Sequence, residues 1–440
     1  MRLPTITASL FAASLFVAAP VAQAQETQLA SLRTSAQARD PQSMLALGRA
    51  LRRAGHFNEA VTTLRGAARG ATRMDALWEI ARVRFDEGNF RASEAACRAL
   101  PAGHGPRDAA GMLRHVCMGR AYLVWHRVAL AEREISAATA IDPNNAELKL
   151  LIADSNRLAS NVPAAESAYA AANGSMSGRA DAQLGLAQLY ENAQRFDDAQ
   201  AAYRRATEAD PNDPVAALML GRFLLKRRND ATNALPLLRR AVENRPSWPE
   251  ALVSLGDAQL ASNAVSDALT AFQQAVQLAP TQPGAQSGLG RVRIRNNQIT
   301  EAEAPLRAAI EQVPNDAEAH MALADVLART DRRDAAIEEW NRAIDLLPSD
   351  PSPRMRAAEL ARTMGQNSLA RAYIDRILSD DAQYSPALLL RADIAFEEND
   401  RTNARQLYQA AIAGHGEIDR ARAQGRVREI DAPQSRTRRR

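Results

Sequence analysis

The sequence predicts an all-α solenoid, made by copying one helical hairpin along most of the chain. The first observation is spacing: Pro143, Pro211, Pro246, Pro280, Pro314 and Pro348 lie 68, 35, 34, 34 and 34 residues apart, and the first gap is two periods of 34. A fixed period of that size marks units that bury their apolar faces only by stacking on one another. The second is composition. Alanine is abundant, aromatic residues make up only 5%, and β-branched runs are scarce, all of which suits helices.

The chain opens like an export signal. Arg2 is a short positive start, Ile6 to Ala19 is apolar and small, and Ala22-Gln23-Ala24 has the small-residue pattern of a cleavage site. Residues 1–24 are therefore expected to be removed as a signal peptide, with 25–40 a lead-in. No cysteine sits at the cut, which excludes a lipoprotein signal. No apolar run approaches the roughly 20 residues of a spanning helix, so no transmembrane segment is expected after signal removal. Lys149 and Lys226 are the sole lysines among many arginines. That bias suits a GC-rich bacterial genome, and the expected location is the periplasm of a Gram-negative bacterium.

Residues 41–416 divide into eleven units when the helix-ending proline is numbered 32. Position 8 is Gly or Ala throughout, as in Gly48, Ala81, Gly119, Ala153, Gly256 and Ala392. Position 20 is Ala in most units (Ala60, Ala131, Ala268, Ala404), and position 27 returns to Ala (Ala67, Ala138, Ala275, Ala411). Position 24 is bulky: Leu64, Tyr169, Tyr203, Phe272, Trp340 and Tyr408. Small side chains let two antiparallel helices cross closely, and the large ones fill the space on either side. Turns such as Arg195-Phe196-Asp197 and Asn89-Phe90 join the helices; Asp142-Pro143-Asn144 and Asp210-Pro211-Asn212 end them. Thr300-Glu301-Ala302-Glu303 reads as a capping box that starts a second helix.

Small at 8 and 20, large at 24, Ala at 27 and Pro at 32 resembles the tetratricopeptide repeat over about residues 41–416. The resemblance implies helix–turn–helix pairs stacked into a right-handed superhelix, whose first helices line a concave groove. Departures are local. Ser93 replaces Ala at position 20, Pro101 to Pro106 adds a loop, and the sixth unit has one extra residue. The tenth lacks its proline, and Pro236 and Pro305 fall inside second helices. Residues 417–440 carry eight arginines against four carboxylates, so the whole chain's formal +4 is local to this end. There a capping helix is expected over Glu417 to Asp431, then a disordered Arg-rich tail.

No catalytic constellation is present: no phosphate loop, H-E-x-x-H, G-x-S-x-G elbow or calcium loop. An enzyme, a cofactor and a metal site are not expected. One cluster, Cys97, His104, His115, Cys117 and His126, keeps open a rival class, a redox or metal protein. Its spacing matches no compact metal motif, and His115 and Cys117, two apart on a helix, do not share a face. Cys97 and Cys117 fall on helices that pack as neighbours in a solenoid; a disulfide and two buried small hydrophobes both fit. His56, His320 and His415 are isolated and read as solvated or packed.

By the resemblance, positions 2, 5, 9, 12 and 13 of each first helix face the groove. Position 5 is apolar in nearly every unit, a row that equally suits packing between first helices. Position 9 runs from basic (Arg49, Arg82, Arg120, Arg222) to acidic (Asp257, Asp325, Asp393), with Arg52 at the basic end. Such a gradient suits orienting a peptide or helix, with Trp78, Phe85, Met321 and Phe396 as apolar anchors; an ordinary solvated face is the alternative. The expected partner is therefore a protein segment, not nucleic acid, with anionic lipid or polysaccharide contact through the Arg-rich tail as a further reading. The leading functional expectation is a periplasmic scaffold for envelope proteins. Its rival within the binding class is a subunit of an exopolysaccharide or pilus export machine.

Overall fold

The computed structural model describes residues 19–101, 109–175 and 180–432. The start of the export signal, His104 and the last eight residues of the tail lie outside the described residues. Helix α1 (Ala19–Ala36) leads into eleven hairpins. The first six are α2 (Pro41–Arg53) with α3 (Phe57–Ala67), α4 (Arg73–Asp86) with α5 (Phe90–Ala99), α6 (Ala109–Val124) with α7 (Val128–Ile141), α8 (Ala146–Leu158) with α9 (Val162–Ser175), α10 (Asp181–Asn192) with α11 (Phe196–Ala209), and α12 (Pro214–Arg228) with α13 (Ala231–Asn244). The other five are α14 (Pro249–Ala261) with α15 (Val265–Leu278), α16 (Ala285–Arg295) with α17 (Ile299–Gln312), α18 (Ala317–Arg329) with α19 (Arg333–Leu346), α20 (Pro351–Thr363) with α21 (Asn367–Asp380), and α22 (Ser385–Glu397) with α23 (Arg401–Ala413). Helix α24 (Arg420–Asp431) closes the order. The chain forms two compact units that divide after Leu278. Within each, every second helix packs on its own first helix and on the first helix of the next hairpin.

Local chemistry sets the helix ends. Asp40, Asn145, Asp213, Asp316 and Asp350 cap first helices by accepting from backbone N–H groups of the first turn. Pro41, Pro214, Pro249 and Pro351 follow as first helical residues, where a missing N–H costs nothing. The turn inside each hairpin holds one residue in the left-handed region. It is the fifteenth of the unit (sixteenth in the longer sixth), and includes Gly55, Gly88, Asn263, Asn297, Gly365 and Asn399. Gly and Asn tolerate that conformation; His126, Ser160 and Gln194 hold it too, at the expense of backbone strain. The turns therefore sit earlier than the sequence suggested: Phe90 and Phe196 are the first residues of α5 and α11. The capping box is also corrected. Gln298 precedes α17 and Thr300 lies within its first turn, without a side-chain cap.

The repeated small and large residues form the core. Ala60, Ala131, Ala268 and Ala404 at position 20 are fully buried, as are Leu64, Tyr169, Phe272 and Tyr408 at position 24. Where position 8 is Gly, the bulky residue often leans into the space a Cβ would occupy. A Cβ on Gly256 would lie 2.8 Å from the Phe272 ring, and one on Gly290 would lie 2.4 Å from Leu306.

Ion pairs tie the outer surfaces of successive hairpins. Arg332 donates to Glu303 of the preceding hairpin at 2.7 and 2.6 Å, and Arg307 donates at 2.9 Å. The Arg332 hydrogen bonds lead in pulling the Glu303 carboxyl from 4.5 to about 2. A depressed carboxylate contributes stability that is complete above its unfolded value and is lost on the way down to its folded value. The stability difference between wild type and Glu303→Gln should therefore shrink as pH falls from 4.5 to about 2, which denaturation at a series of pH values will show.

Candidate functional site

The groove rows differ between the two units. In the first, the position-5 residues Leu45, Trp78, Val116, Leu150, Leu184, Leu218 and Val253 are all buried. Trp78 is thus corrected from groove anchor to core: it is 8% exposed and clusters with Cys97, Met112 and Val116. Phe85 is half-buried and packs edge-to-face with Phe90, the ring centroids 5.7 Å apart. In the second unit Ser287 of the same row is buried, but the row then opens. Met321, Met355 and Leu389 are only partly buried.

Position 9 is a ladder between neighbours. Arg49 bonds Glu79 of the next hairpin at 3.1 Å, Arg120 bonds Glu147 at 3.2 Å, and Arg222 pairs with Glu250. In the second unit Arg291 meets Glu318 at 3.1 Å, while Asp325 pairs with Arg356. The arginines that the sequence assigned to a basic groove are thus taken up by the protein's own carboxylates. Arg52 joins the same network, reaching Glu79 at 3.2 Å and Asp86 at 2.6 Å. Arg82 lies 3.8 Å from Glu79; burial first, then Arg52 beside it, pulls its guanidinium below the usual arginine value. Asp257 also has an interaction partner.

The acidic end is covered by the chain itself. Helix α24 packs on α23, and Arg422 reaches Asp393 at 2.7 Å. Arg426 lies over the Phe396 ring, 4.6 Å from its centroid. Asp393 and Phe396 therefore serve the cap and are corrected from open groove residues. Tyr408 donates to Asp393 at 2.6 Å from the facing helix, and Tyr169 donates to Asp154 in the same way. Burial leads in raising both phenol pKa values.

Trp340 occupies the position of those tyrosines, and its different shape leaves a gap. Its side chain is 4% exposed, and its indole N–H faces Asp325 as those phenols face Asp154 and Asp393. Beside it opens a cavity of about 410 Å³ lined by Ile294, Asp325, Ala328, Arg329, Trp340, Arg356, Glu359, Leu360 and Thr363. Asp325 has its carboxyl raised, chiefly by burial. Apolar walls and charges of both signs equip this cavity for a peptide side chain.

The cysteine–histidine cluster separates into pairs. Cys97 and Cys117 are joined by a disulfide with Cα atoms 5.4 Å apart. His115 bonds Glu134 at 2.6 Å, at the edge of a second cavity with Arg98, Arg114, Met118 and Tyr122. His320, placed as an isolated histidine, instead makes the same contact with Glu339 at 2.6 Å and a second with the Pro314 carbonyl at 3.0 Å. Among the described residues, no three His, Cys, Asp or Glu side chains converge as metal ligands. No described helix is long and apolar enough to cross a membrane.

Comparison with known proteins matches this geometry. Tetratricopeptide repeat profiles match residues 45–109, 184–249, 218–283 and 355–426, and a second profile of that name matches 260–326. No curated protein matches the chain significantly. Among solved structures, a tetratricopeptide repeat protein from Parabacteroides merdae is 15% identical, with a TM-score of 0.44 over 57% of this chain and 98% of its own. MamA is 23% identical, with a TM-score of 0.32 over 37% of this chain and 95% of its own. The APC/C hetero-tetramer Cut9-Hcn1 is 12% identical, with a TM-score of 0.43 over 93% and 94%. With profiles spanning more than half its length and hairpins that repeat in one phase, the chain belongs to the tetratricopeptide repeat family, whose members bind other proteins.

Proposed function

We propose that this protein is a non-enzymatic periplasmic scaffold that holds segments of envelope proteins during assembly or secretion, gripping them on the first helices of its second unit. The observation that carries the reading is the contrast in the position-5 row. Its side chains are buried in the first unit, but Met321, Met355 and Leu389 of the second are partly exposed, and helices α18 and α20, which carry the two methionines, also line the cavity beside Trp340. Methionine adapts to varied apolar surfaces, and such anchors supply most of the affinity at an interface. The export-like start and the Cys97–Cys117 bridge support an oxidising compartment.

A photo-crosslinking residue at Met355 in living cells tests this, against one at Arg376, exposed on a second helix. The expected result is capture of discrete envelope proteins from the first site only, abolished by Leu360→Asp, with the scaffold released by osmotic shock. Equal capture from both positions, or retention of the protein with the cytoplasm, would overturn the reading.

A further inference from the structure

A linear repeat array couples each unit only to its neighbours, yet the first unit touches its own start. Arg245, directly after α13, lies with its guanidinium 4.7 Å from the Phe57 ring centroid and 4.4 Å from that of Trp248. It is only 9% exposed, and its Nε makes no hydrogen bond. Burial pulls this guanidinium below the usual arginine value, while Asp86 and Glu250 favour its charged form and Arg52 opposes it. The hairpin turn yields room for it: Gly55 holds φ +81, and a Cβ there would lie 2.9 Å from the Arg245 Nε. Helix α1 also packs on α13, so two contacts join the same ends.

We propose that Arg245 is a clasp that closes the first six hairpins into a ring, so that this unit opens by release of the Phe57–Arg245–Trp248 sandwich. A cation held between two aromatic faces and shielded from water fits a reversible joint, because no covalent bond or shared backbone ladder has to break. The ring makes the first and sixth hairpins respond to each other, which a linear stack does not.

Hydrogen exchange on the full-length protein separates ring from line. With Arg245→Ala, amides of α2 should exchange roughly tenfold faster or more together with those of α13, as expected for loss of a desolvated cation–π contact. Arg245→Lys, which keeps the charge but not the planar stack, should fall between the two. Spin labels at Asn58→Cys and Ser247→Cys give a second reading, since both native cysteines are in the disulfide. A narrow distance in the parent should broaden and lengthen in Arg245→Ala. If that variant loses helicity, Phe57→Leu takes its place. Faster exchange confined to α12–α15 with α2 unchanged, or a label distance insensitive to the substitution, would overturn the clasp.

Discussion

Phe272→Ala will cost the first unit about 3–5 kcal/mol, seen as a lower urea midpoint for its share of the unfolding signal. Phe272 is fully buried among close-packed small residues, so truncation leaves a hole that rigid helices cannot fill. The opposite change at the facing position is also unfavourable. Gly256→Ala puts a Cβ 2.8 Å from the ring, and overpacking of this kind costs about 1–3 kcal/mol. The two sites share one space, so Gly256→Ala combined with Phe272→Leu should cost less than the sum of the single changes. A neutral Gly256→Ala would show that the ring shifts freely and that the crossing is looser than its contacts imply.

Glu339→Leu will destabilise the second unit by about 2–4 kcal/mol, between the cost of an unsatisfied buried group and that of a broken buried ion pair. Glu339 shares a hydrogen bond with His320 at 2.6 Å and accepts from Arg342 at 2.8 Å. His320 is 3% exposed, and its other ring nitrogen already donates to Pro314. Removing the carboxylate strands an imidazole nitrogen where water does not reach. His320→Leu with Glu339→Leu removes both polar ends, so it should recover much of the loss in a thermal melt. If the double variant is no better than Glu339→Leu alone, the pair is not the source of the cost.

The repeat was legible because helix-ending prolines and small crossing residues are local constraints that recur in phase. The turn residue was equally present in the sequence, as Gly or Asn fifteen residues into most units, although His126, Ser160 and Gln194 blur that signal. Depth was not legible: Trp78 and Met321 share position 5, but only the packing of neighbouring first helices buries one and leaves the other partly open. Nor was the fate of the position-9 charges, because Arg49 finds Glu79 only once two hairpins stack. Asp393 and Phe396 were assigned to a groove because the row continues through the last hairpin, where Arg422 and Arg426 of α24 meet them instead. Arg245 gave no signal at all, since its partner Phe57 lies far back along the chain.

The position-9 ladder also bears on how eleven near-identical hairpins avoid joining in the wrong order as they emerge from synthesis. Arg222 is matched to Glu250 and Asp325 to Arg356, so the rungs differ in polarity from one junction to another. Were α18 to settle against α14, Asp325 would face a helix that carries Glu250 and Asp257 but no arginine. Were α12 to settle against α20, Arg222 would face a helix with Arg354, Arg356 and Arg362 against the single carboxylate of Glu359. Repulsion of this kind discriminates against mismatched docking, the failure to which tandem copies are most prone.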